Sequence, residues 1–384
     1  MLSFSFETAP ALVNEWGVSG KLGALVASRF SARSALIVTF ASFVRSGRLA
    51  PIVASLDDAG FSTQIFDQVI ADPPERLVID AVDLARRVNA DIVIGLGGGS
   101  SLDTAKLVAA LAHSSQSIAD IYGVDKVKGP RLPLVLAPTT AGTGSEVTPI
   151  SVITTGASTK MAVLALPLYP DLAVLDAELT VGVPKTHTAA GGVDAMVHAI
   201  EAYTTRHKKN PLSDLLATEA LRILAANLGP VCRDGAARPA REAMLYGSML
   251  AGQAFANASV AAVHALAYPL GGHFHISHGL ANALMLIPVL RFNASAAAAQ
   301  YAELASAVGV AETGAVAERA ERFIAAIAVI VAESGAPRRL SEAGVPRDSL
   351  PMLAADAMKQ TRLLGNNPVA VTEADALRLY EQAF

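Results

Sequence analysis

The sequence contains little cysteine, few aromatic residues and few charges. Its 384 residues include one cysteine, Cys232, and 5% aromatic residues. A single cysteine excludes an intramolecular disulfide and a thiolate metal cluster, and it fits a reducing compartment. Charged residues make up 17% of the chain, and the formal net charge is −4. This near-neutral balance disfavours a nucleic-acid-binding protein, which normally carries a basic face.

Targeting signals and long apolar runs are also missing from the sequence. The opening residues, MLSFSFETAP, contain neither a basic region nor the apolar stretch of a signal peptide. No run of about 18 uninterrupted apolar residues occurs. Hydrophobic residues nevertheless make up 52% of the chain. We therefore expect a cytoplasmic protein with a large core and no membrane partner, divided into two domains at about 150 residues per domain.

Short aliphatic runs in the first half of the sequence predict buried strands. They lie at 34–39, 63–66, 91–94, 134–136 and 172–175. Continuous apolar strands are typical of parallel sheets that are covered on both faces. Between them, a helix is predicted over 73–89. Asp72 is its expected N-cap, with Pro73 at the first position and Glu75 closing a capping box. This alternation predicts an α/β domain with a mostly parallel, Rossmann-like sheet.

After about residue 184 the strand pattern stops, and Ala/Leu-rich helical segments continue to the C-terminus. They are predicted over 188–203, 212–227, 239–257 and 312–334. Pro184 lies just before this change. We therefore predict an N-terminal α/β domain over 1–183 and an all-helical domain over 184–384, with a ligand cleft between them.

Two loops after predicted strands have compositions that suit a nucleotide. Strand 91–94 continues into the glycine-rich turn 95–100, whose backbone amides could approach an anion beside a helix N-terminus. The spacing matches neither the G-x-G-x-x-G pattern nor the P-loop, so a tight turn without a ligand is the alternative. Loop 138–146, rich in small hydroxyl side chains, follows strand 134–136, where open α/β sheets bind ligands. An ordinary connection is its alternative.

A carboxylate and several histidines have spacings that suit a metal site. Asp194 and His198 are four residues apart in a helical segment and share one face. Four of the eight histidines fall between positions 264 and 278, where uniform scatter would place about 0.3. These are His264, His273, His275 and His278.

The residues between these histidines predict how they converge. We expect Pro269, Gly271 and Gly272 to break a helix, so that His264 and His278 lie on opposite sides of a loop. One carboxylate and three imidazoles suit Fe²⁺ or Zn²⁺. Ordinary core or helix-end histidines are the alternative interpretation.

Together these motifs resemble the iron-containing, group III alcohol dehydrogenases over essentially the whole chain. The last matching motif is Asn366-Asn367-Pro368. The resemblance implies a dehydroquinate synthase-like architecture, in which an NAD(P)-binding α/β domain precedes a helical metal-binding domain. It also implies hydride transfer between a small alcohol or aldehyde and NAD or NADP, with Fe²⁺ as the metal and Zn²⁺ as the alternative. We expect a homodimer or higher homo-oligomer.

Carried over residue by residue, the resemblance implies two groups of site residues. The metal ligands would be Asp194, His198, His264 and His278. The pyrophosphate would lie on the glycine-rich turn, and Asp103 would lie beside the nicotinamide-side phosphate or amide. The complete set of implied cofactor contacts is Gly97, Gly98, Gly99, Ser100, Asp103, Thr139, Thr140, Thr143 and Lys160.

Two positions depart from the family pattern. Many NAD-dependent members have an aspartate for the ribose 2′-hydroxyl where this sequence has Phe40. Phe40 predicts weak discrimination between NAD and NADP, with Arg45 as a conceivable phosphate partner. Many members also have a histidine where this sequence has Tyr268, one helical turn after His264. Tyr268 is a candidate for a proton relay or a substrate contact, and we favour packing in the substrate pocket.

Three other functions compete with this hypothesis. A polyol dehydrogenase of the glycerol dehydrogenase type usually uses zinc with fewer ligands, so the four-residue set disfavours it. A metal- and NAD-dependent lyase resembling dehydroquinate synthase needs several Lys or Arg side chains, which the metal segments lack. A non-catalytic binding protein would not need an intact ligand set.

Overall fold

The computed structural model describes residues 3–156 and 159–384, and these residues form two compact units. The α/β unit comprises Thr8–Thr140 and Ser145–Val181. The helical unit comprises Gly182–Phe384, the segment Ala141–Gly144 and the N-terminal segment up to Glu7. The boundary between domains 1–183 and 184–384 stays a prediction. The structure adds that four residues of loop 138–146 pack with the helical unit.

The α/β unit is built on a parallel sheet of six strands. Its order is β1-β9-β6-β4-β2-β3, and β5, β8 and β7 form a small second sheet. The strands are β1 Leu12–Asn14, β2 Ser34–Val38, β3 Ser62–Phe66, β4 Ile92–Gly97, β5 Gly123–Val124, β6 Leu134–Pro138, β7 Ile150–Thr155, β8 Thr159–Leu164 and β9 Leu172–Leu175. The five predicted strands are confirmed, as is the parallel sheet. The short β1 and β5 and the β7–β8 pair were not predicted.

Helices cover both faces of the six-stranded sheet. They are α1 Leu22–Ala27, α2 Ala41–Arg45, α3 Ala50–Asp58, α4 Glu75–Arg87 and α5 Gly99–Leu111. Leu36 and Val93 share a core cluster with residues of α4 and α5. Ile37 and Ile94, which point to the opposite face, share another with residues of α1 and α3. Because both faces are covered, the central strands are apolar at successive positions.

The capping box predicted before α4 is wrong. The helix begins at Glu75, and Pro74 precedes it in an extended conformation. A residue that precedes a proline disfavours the helical region, so Pro73 is held out of the helix by Pro74. Asp72 adopts a φ of 51° and forms an ion pair with Lys160 instead of capping the helix.

The second unit is helical throughout residues 182–384, all of which are described. Its helices are α6 Lys185–Thr204, α7 Pro211–Arg233, α8 Arg238–Ala258, α9 Ala262–Phe274, α10 His278–Leu304, α11 Val316–Ser334, α12 Leu350–Ala357, α13 Thr361–Leu364 and α14 Glu373–Ala383. The four helices predicted in this region are confirmed as α6, α7, α8 and α11.

The helix break expected at Pro269 is wrong. α9 continues through Pro269, Gly271 and Gly272, and it ends at His275 in the left-handed conformation. Proline inside a helix removes one backbone hydrogen bond and normally destabilises the helix by about 3 kcal/mol. Most of α9 is buried, and tertiary packing of this kind overrides local propensity. The connection to α10 is therefore only three residues long, at 275–277.

Two helices of this unit, α7 and α10, are long and apolar enough to cross a membrane by length and composition alone. Within the protein, 44% and 56% of their most apolar windows are buried. α7 packs against α6 and α8, and α10 packs against α6 and α11. The exposed side of α7 carries the Arg222–Glu219 ion pair. The apolar residues of these helices thus form much of the core of the helical unit.

Candidate metal centre and nucleotide-binding loops

Three helices bring one carboxylate and three imidazoles together in the helical unit. Asp194 and His198 lie on α6, His264 on α9, and His278 is the first residue of α10. Their ligand atoms all lie within 4.8 Å of one another. Nε2 of His264 is 3.0 Å from Nε2 of His198 and 3.9 Å from Oδ1 of Asp194. Nε2 of His278 is 3.7 Å from the same carboxylate oxygen.

Glycine allows α10 to approach α6 closely at this point. Gly279 directly follows His278, and a Cβ atom on it would lie 2.5 Å from the carbonyl oxygen of Ala190 in α6. Any side chain would therefore push the two helices apart. The approach places His278 next to Asp194, one turn of α6 beyond Ala190.

The chemistry of the four donors fits a divalent metal ion. Burial disfavours ionisation of Asp194, but the three imidazoles and the Asn282 amide keep its pKa below the usual range. Burial lowers the pKa of His198 to about 3, although Asp194 opposes this effect. An ionised carboxylate and a neutral imidazole are the forms that bind metals. Ligands on opposite sides of one ion with bonds of about 2.0–2.2 Å lie just over 4 Å apart, so the cluster has the dimensions of a single-ion site.

The cluster is buried on one side and accessible on the other. Asp194, His198 and His264 are buried, whereas the side chain of His278 is 38% exposed. Tyr268 is half-buried on α9, and its ring centre lies 6.1 Å from that of His278. Tyr268 is thus close to the accessible side of the cluster, and its role stays a prediction.

The two other histidines of the 264–278 region do not join the cluster. His273 is exposed and pairs with Asp356 at 3.1 Å. His275 is exposed at the C-terminus of α9. Of the four histidines in this region, only His264 and His278 therefore belong to the cluster.

Two buried polar residues beside the cluster were missed by sequence reasoning. The Asn282 amide donates to Oδ1 of Asp194 at 2.5 Å and lies 3.2 Å from Nε2 of His278. Glu201 contacts the Nδ1 atom of His264 at 2.7 Å. Helical spacing carried a signal for both, because Asn282 follows His278 by four residues and Glu201 follows Asp194 by seven.

In the α/β unit, the glycine-rich turn joins β4 to the N-terminus of α5. Gly97 has a φ of 155°, and a Cβ atom on it would lie 2.5 Å from Oγ of Ser101 and 3.2 Å from Cδ1 of Phe40. The turn therefore requires glycine at this position. It places the first-turn amides of α5 at the carboxyl end of β4, the arrangement that binds phosphate groups.

The sheet topology also favours this position for a ligand. From β2 the chain passes outward to β3 and then back to β4 on the other side of β2. Open α/β sheets bind ligands where the strand order reverses in this way. Phe40 follows β2 and Gly97 ends β4, so both residues border the reversal.

The hydroxyl loop lies beside the glycine-rich turn for part of its length. The amide of Thr139 donates to the carbonyl of Gly97 at 2.9 Å. Oγ1 of Thr140 lies 3.3 Å from the position of a Cβ atom on Gly98. Thr143, in contrast, belongs to the segment that packs with the helical unit. Thr139 and Thr140 thus share one location with the turn.

Two of the implied cofactor contacts have bonding partners within the α/β unit. Asp103 on α5 accepts from Oγ of Ser145 at 2.6 Å and from the amide of Val152 at 2.8 Å. Lys160 donates to Thr154 at 3.1 Å and pairs with Asp72. These contacts hold α5 and the β7–β8 pair in place, and the predicted cofactor roles of both residues stay predictions.

The burial of Lys106 on α5 and of Glu146, the last residue of the hydroxyl loop, also escaped sequence reasoning. Nζ of Lys106 donates to Oγ of Ser145 at 2.8 Å and to the carbonyl of Ile150 at 2.7 Å. Burial lowers the pKa of Lys106 to about 8 and raises that of Glu146 to about 7. The bonds of Lys106 thus hold the C-terminal end of the loop against α5.

Two family models together match nearly the whole chain. Residues 9–177 match the iron-containing alcohol dehydrogenase model, and residues 188–384 match the model of the C-terminal region of the same family. The chain belongs to the iron-containing alcohol dehydrogenase family. The expected class, a metal-dependent alcohol dehydrogenase or aldehyde reductase, is thereby confirmed.

Individual relatives match over nearly their full length. Long-chain-alcohol dehydrogenase 1 of Geobacillus thermodenitrificans (strain NG80-2) is 40% identical over 96% of this chain and 94% of its own. NAD-dependent methanol dehydrogenase of Bacillus methanolicus is 34% identical over 99% of both chains. A crystal structure of 1,3-propanediol oxidoreductase superposes with a TM-score of 0.96 at 33% identity, covering 100% of both chains. Sulfoacetaldehyde reductase from Bifidobacterium kashiwanohense, in complex with NAD⁺, gives a TM-score of 0.89 at 27% identity over 100% of this chain and 99% of its own.

Proposed function

We propose that the protein oxidises small primary alcohols and reduces the corresponding aldehydes, with NAD or NADP as the hydride carrier. Fe²⁺ is the proposed metal, with Zn²⁺ as the alternative, and its ligands are Asp194, His198, His264 and His278. The observation that carries this proposal is the convergence of these four ligand atoms, three of them on buried residues, within 4.8 Å of one another. A bound metal ion of this kind supplies a Lewis acid for the alcohol or carbonyl oxygen.

The surrounding residues have complementary roles in this proposal. Asp194 provides the one negative charge among the four ligands, while the imidazoles bind through neutral nitrogen. The accessible side at His278 admits the substrate, and the ring of Tyr268 contacts it there. The amides of α5 and the turn at Gly97 bind the pyrophosphate of the cofactor.

We also propose that NAD and NADP are used with comparable efficiency. Phe40 matches the position at which many NAD-dependent members of the family have an aspartate, which would bind the ribose 2′-hydroxyl and repel a 2′-phosphate. Its ring lies against Gly97 and pairs with the ring of Phe43, with centroids 5.7 Å apart. This apolar pair supplies neither the attraction nor the repulsion. A preference for NAD of a thousandfold or more in kcat/KM would contradict the proposal.

The experiment for this function is a substrate panel on protein reconstituted anaerobically with Fe²⁺ or Zn²⁺. Alcohols and aldehydes of increasing chain length are assayed with NAD(H) and with NADP(H). We expect metal-dependent turnover of primary alcohols and their aldehydes. Full turnover by chelator-treated, metal-free protein would contradict the role of the metal.

We further propose a soluble, cytoplasmic homodimer or higher homo-oligomer with domains 1–183 and 184–384. Light scattering on the purified protein measures the oligomeric state. Limited proteolysis measures the domain boundary, with cleavage expected near residue 184.

A further inference from the structure

Glu201 makes a set of hydrogen bonds that joins α6 to the start of α9. It lies on α6, three residues after His198, and is only 4% exposed. Its Oε1 accepts from the amide of Val263 at 2.7 Å, and its Oε2 accepts from the amide of Ala261 at 2.8 Å. The same Oε2 lies 2.7 Å from Nδ1 of His264. One buried carboxylate therefore has three donors.

These bonds determine which nitrogen of His264 carries the proton. An ionised carboxylate accepts hydrogen bonds and donates none. The two backbone amides already donate to it, so the short contact with His264 requires a proton on Nδ1. The lone pair is then on Nε2, on the side of the ring that faces His198 and Asp194. A metal-binding histidine is typically oriented by this kind of outer carboxylate.

The same carboxylate fixes the N-terminus of α9. The residue before this helix, Ala261, provides no side-chain cap, and its φ and ψ are −138° and −134°. Glu201 supplies the missing acceptor from a different helix, and a negative charge at a helix N-terminus is favourable. His264 is the third residue of α9. The Glu201 carboxylate therefore positions both the helical turn that contains His264 and the His264 ring.

We infer that Glu201 is a positioning residue for the metal centre, which holds His264 in the Nδ1–H form and aims Nε2 at the metal. This inference rests on the ligand set proposed above. Glutamine is the informative replacement, because it keeps the size of the side chain but places an NH₂ group against the His264 ring or the backbone amides. When that group faces Nδ1, the imidazole proton moves to Nε2 and blocks the ligand atom.

A matched control exists in the other unit. Asp176 is a fully buried carboxylate that accepts from the amides of Gly17 and Ser19 at 2.8 and 2.9 Å and caps a short helical turn through the amide of Glu178. Among the residues that the structure describes, the hydrogen-bond partners of its side chain are Gly17, Ser19 and Glu178, and none is a histidine. Asp176→Asn therefore measures the effect of removing a buried, amide-bound charge without altering a metal ligand.

The test measures Zn²⁺ affinity by chelator competition in the wild type and in Glu201→Gln, Asp176→Asn and His264→Ala. We expect Glu201→Gln to weaken Zn²⁺ binding by about 10–100-fold, Asp176→Asn to leave it within about threefold, and His264→Ala to abolish tight binding. Unchanged affinity in Glu201→Gln, together with loss in His264→Ala, would overturn the inference and leave the ligand set intact. Tight binding that persists in His264→Ala would refute the ligand set itself.

A second measurement tests the inference on the wild-type protein itself. Nitrogen-15 NMR of histidine-labelled, metal-free wild-type protein reports which ring nitrogen carries the proton, and the His264 signal is assigned by its loss in His264→Ala. We expect the proton on Nδ1 in the wild type and on Nε2 in Glu201→Gln. A wild-type His264 with its proton on Nε2 would overturn the inference.

Discussion

The metal cluster and the glycine-rich turn are two candidate sites made from different parts of the chain. The turn is local: Gly97 ends a strand, α5 begins two residues later, and the contacts come from backbone amides and small side chains. The cluster is non-local: its four side chains span positions 194 to 278 and come from three helices. A nucleotide loop can therefore be read from a short segment, whereas the metal centre requires the packing of the whole helical unit.

The largest effect on metal content and activity is expected from removing one ligand, which tests whether all four residues are needed to bind the metal. His278→Ala removes the accessible ligand and leaves three buried donors with poorly defined geometry. We expect most of the metal to be lost and kcat to fall by a hundredfold or more. Metal analysis and steady-state kinetics measure both. Retained activity with full metal content would show that the centre does not depend on the convergence of all four residues.

The next prediction tests whether the glycine-rich turn can be altered without changing the metal cluster. Gly97→Ala introduces a Cβ atom 2.5 Å from Oγ of Ser101 at a φ of 155°, so the turn must deform. We expect KM for the nicotinamide cofactor to rise by about tenfold or more, with metal content unchanged. Gly20→Ala is the matched control, because a Cβ atom there meets nothing within 4 Å. Loss of metal in Gly97→Ala but not in Gly20→Ala would contradict the claim that the turn and the metal cluster are independent sites.

The pKa values of two buried carboxylates, one in each unit, are shifted in opposite directions. Asp194, surrounded by imidazoles, has a lowered pKa, whereas burial raises that of Glu146 to about 7 from 4.5. The stabilisation from a protonated Glu146 is complete below pH 4.5 and is lost as the pH rises through 7. Between pH 5 and 7.5, the wild type should lose about 2 kcal/mol of unfolding free energy relative to Glu146→Gln. Denaturant titrations at both pH values measure this difference, and parallel pH profiles would refute it.

The smallest effect concerns the accessible edge of the cluster. If Tyr268 packs against substrate, Tyr268→Phe keeps the ring and should change kcat by no more than a few-fold, acting mainly on KM. A hundredfold fall in kcat with unchanged metal content would instead make its hydroxyl a general acid or base.

Local sequence patterns were sufficient to predict two kinds of element: the strands that are buried on both faces and the long helices with a regular apolar spacing. The central strands were found because both faces of the sheet are covered, and the long helices because of their periodicity. β1 has only three residues and was missed. The expected break at Pro269 was wrong because burial holds α9 together through a residue that normally ends a helix.

The same limits apply to the candidate sites. Asp194 and His198 were visible as a pair because helical spacing is local, and His264 and His278 because histidine is locally concentrated. Helical spacing placed Glu201 and Asn282 on the same faces as the predicted ligands, but their bonds to His264 and Asp194 join different helices, and one sequence contains no record of such packing. Ser145 and Lys106 were likewise hidden, since their bonds form only when the hydroxyl loop folds over α5.

The central claim is that Asp194, His198, His264 and His278 bind one metal ion. Its most direct test is a crystal structure of the Fe²⁺-loaded protein with an anomalous difference map at the iron absorption edge. The account predicts a single strong peak in each chain, within bonding distance of a carboxylate oxygen of Asp194 and of one nitrogen of each histidine. A peak elsewhere, or no peak in protein that contains iron by elemental analysis, would contradict it.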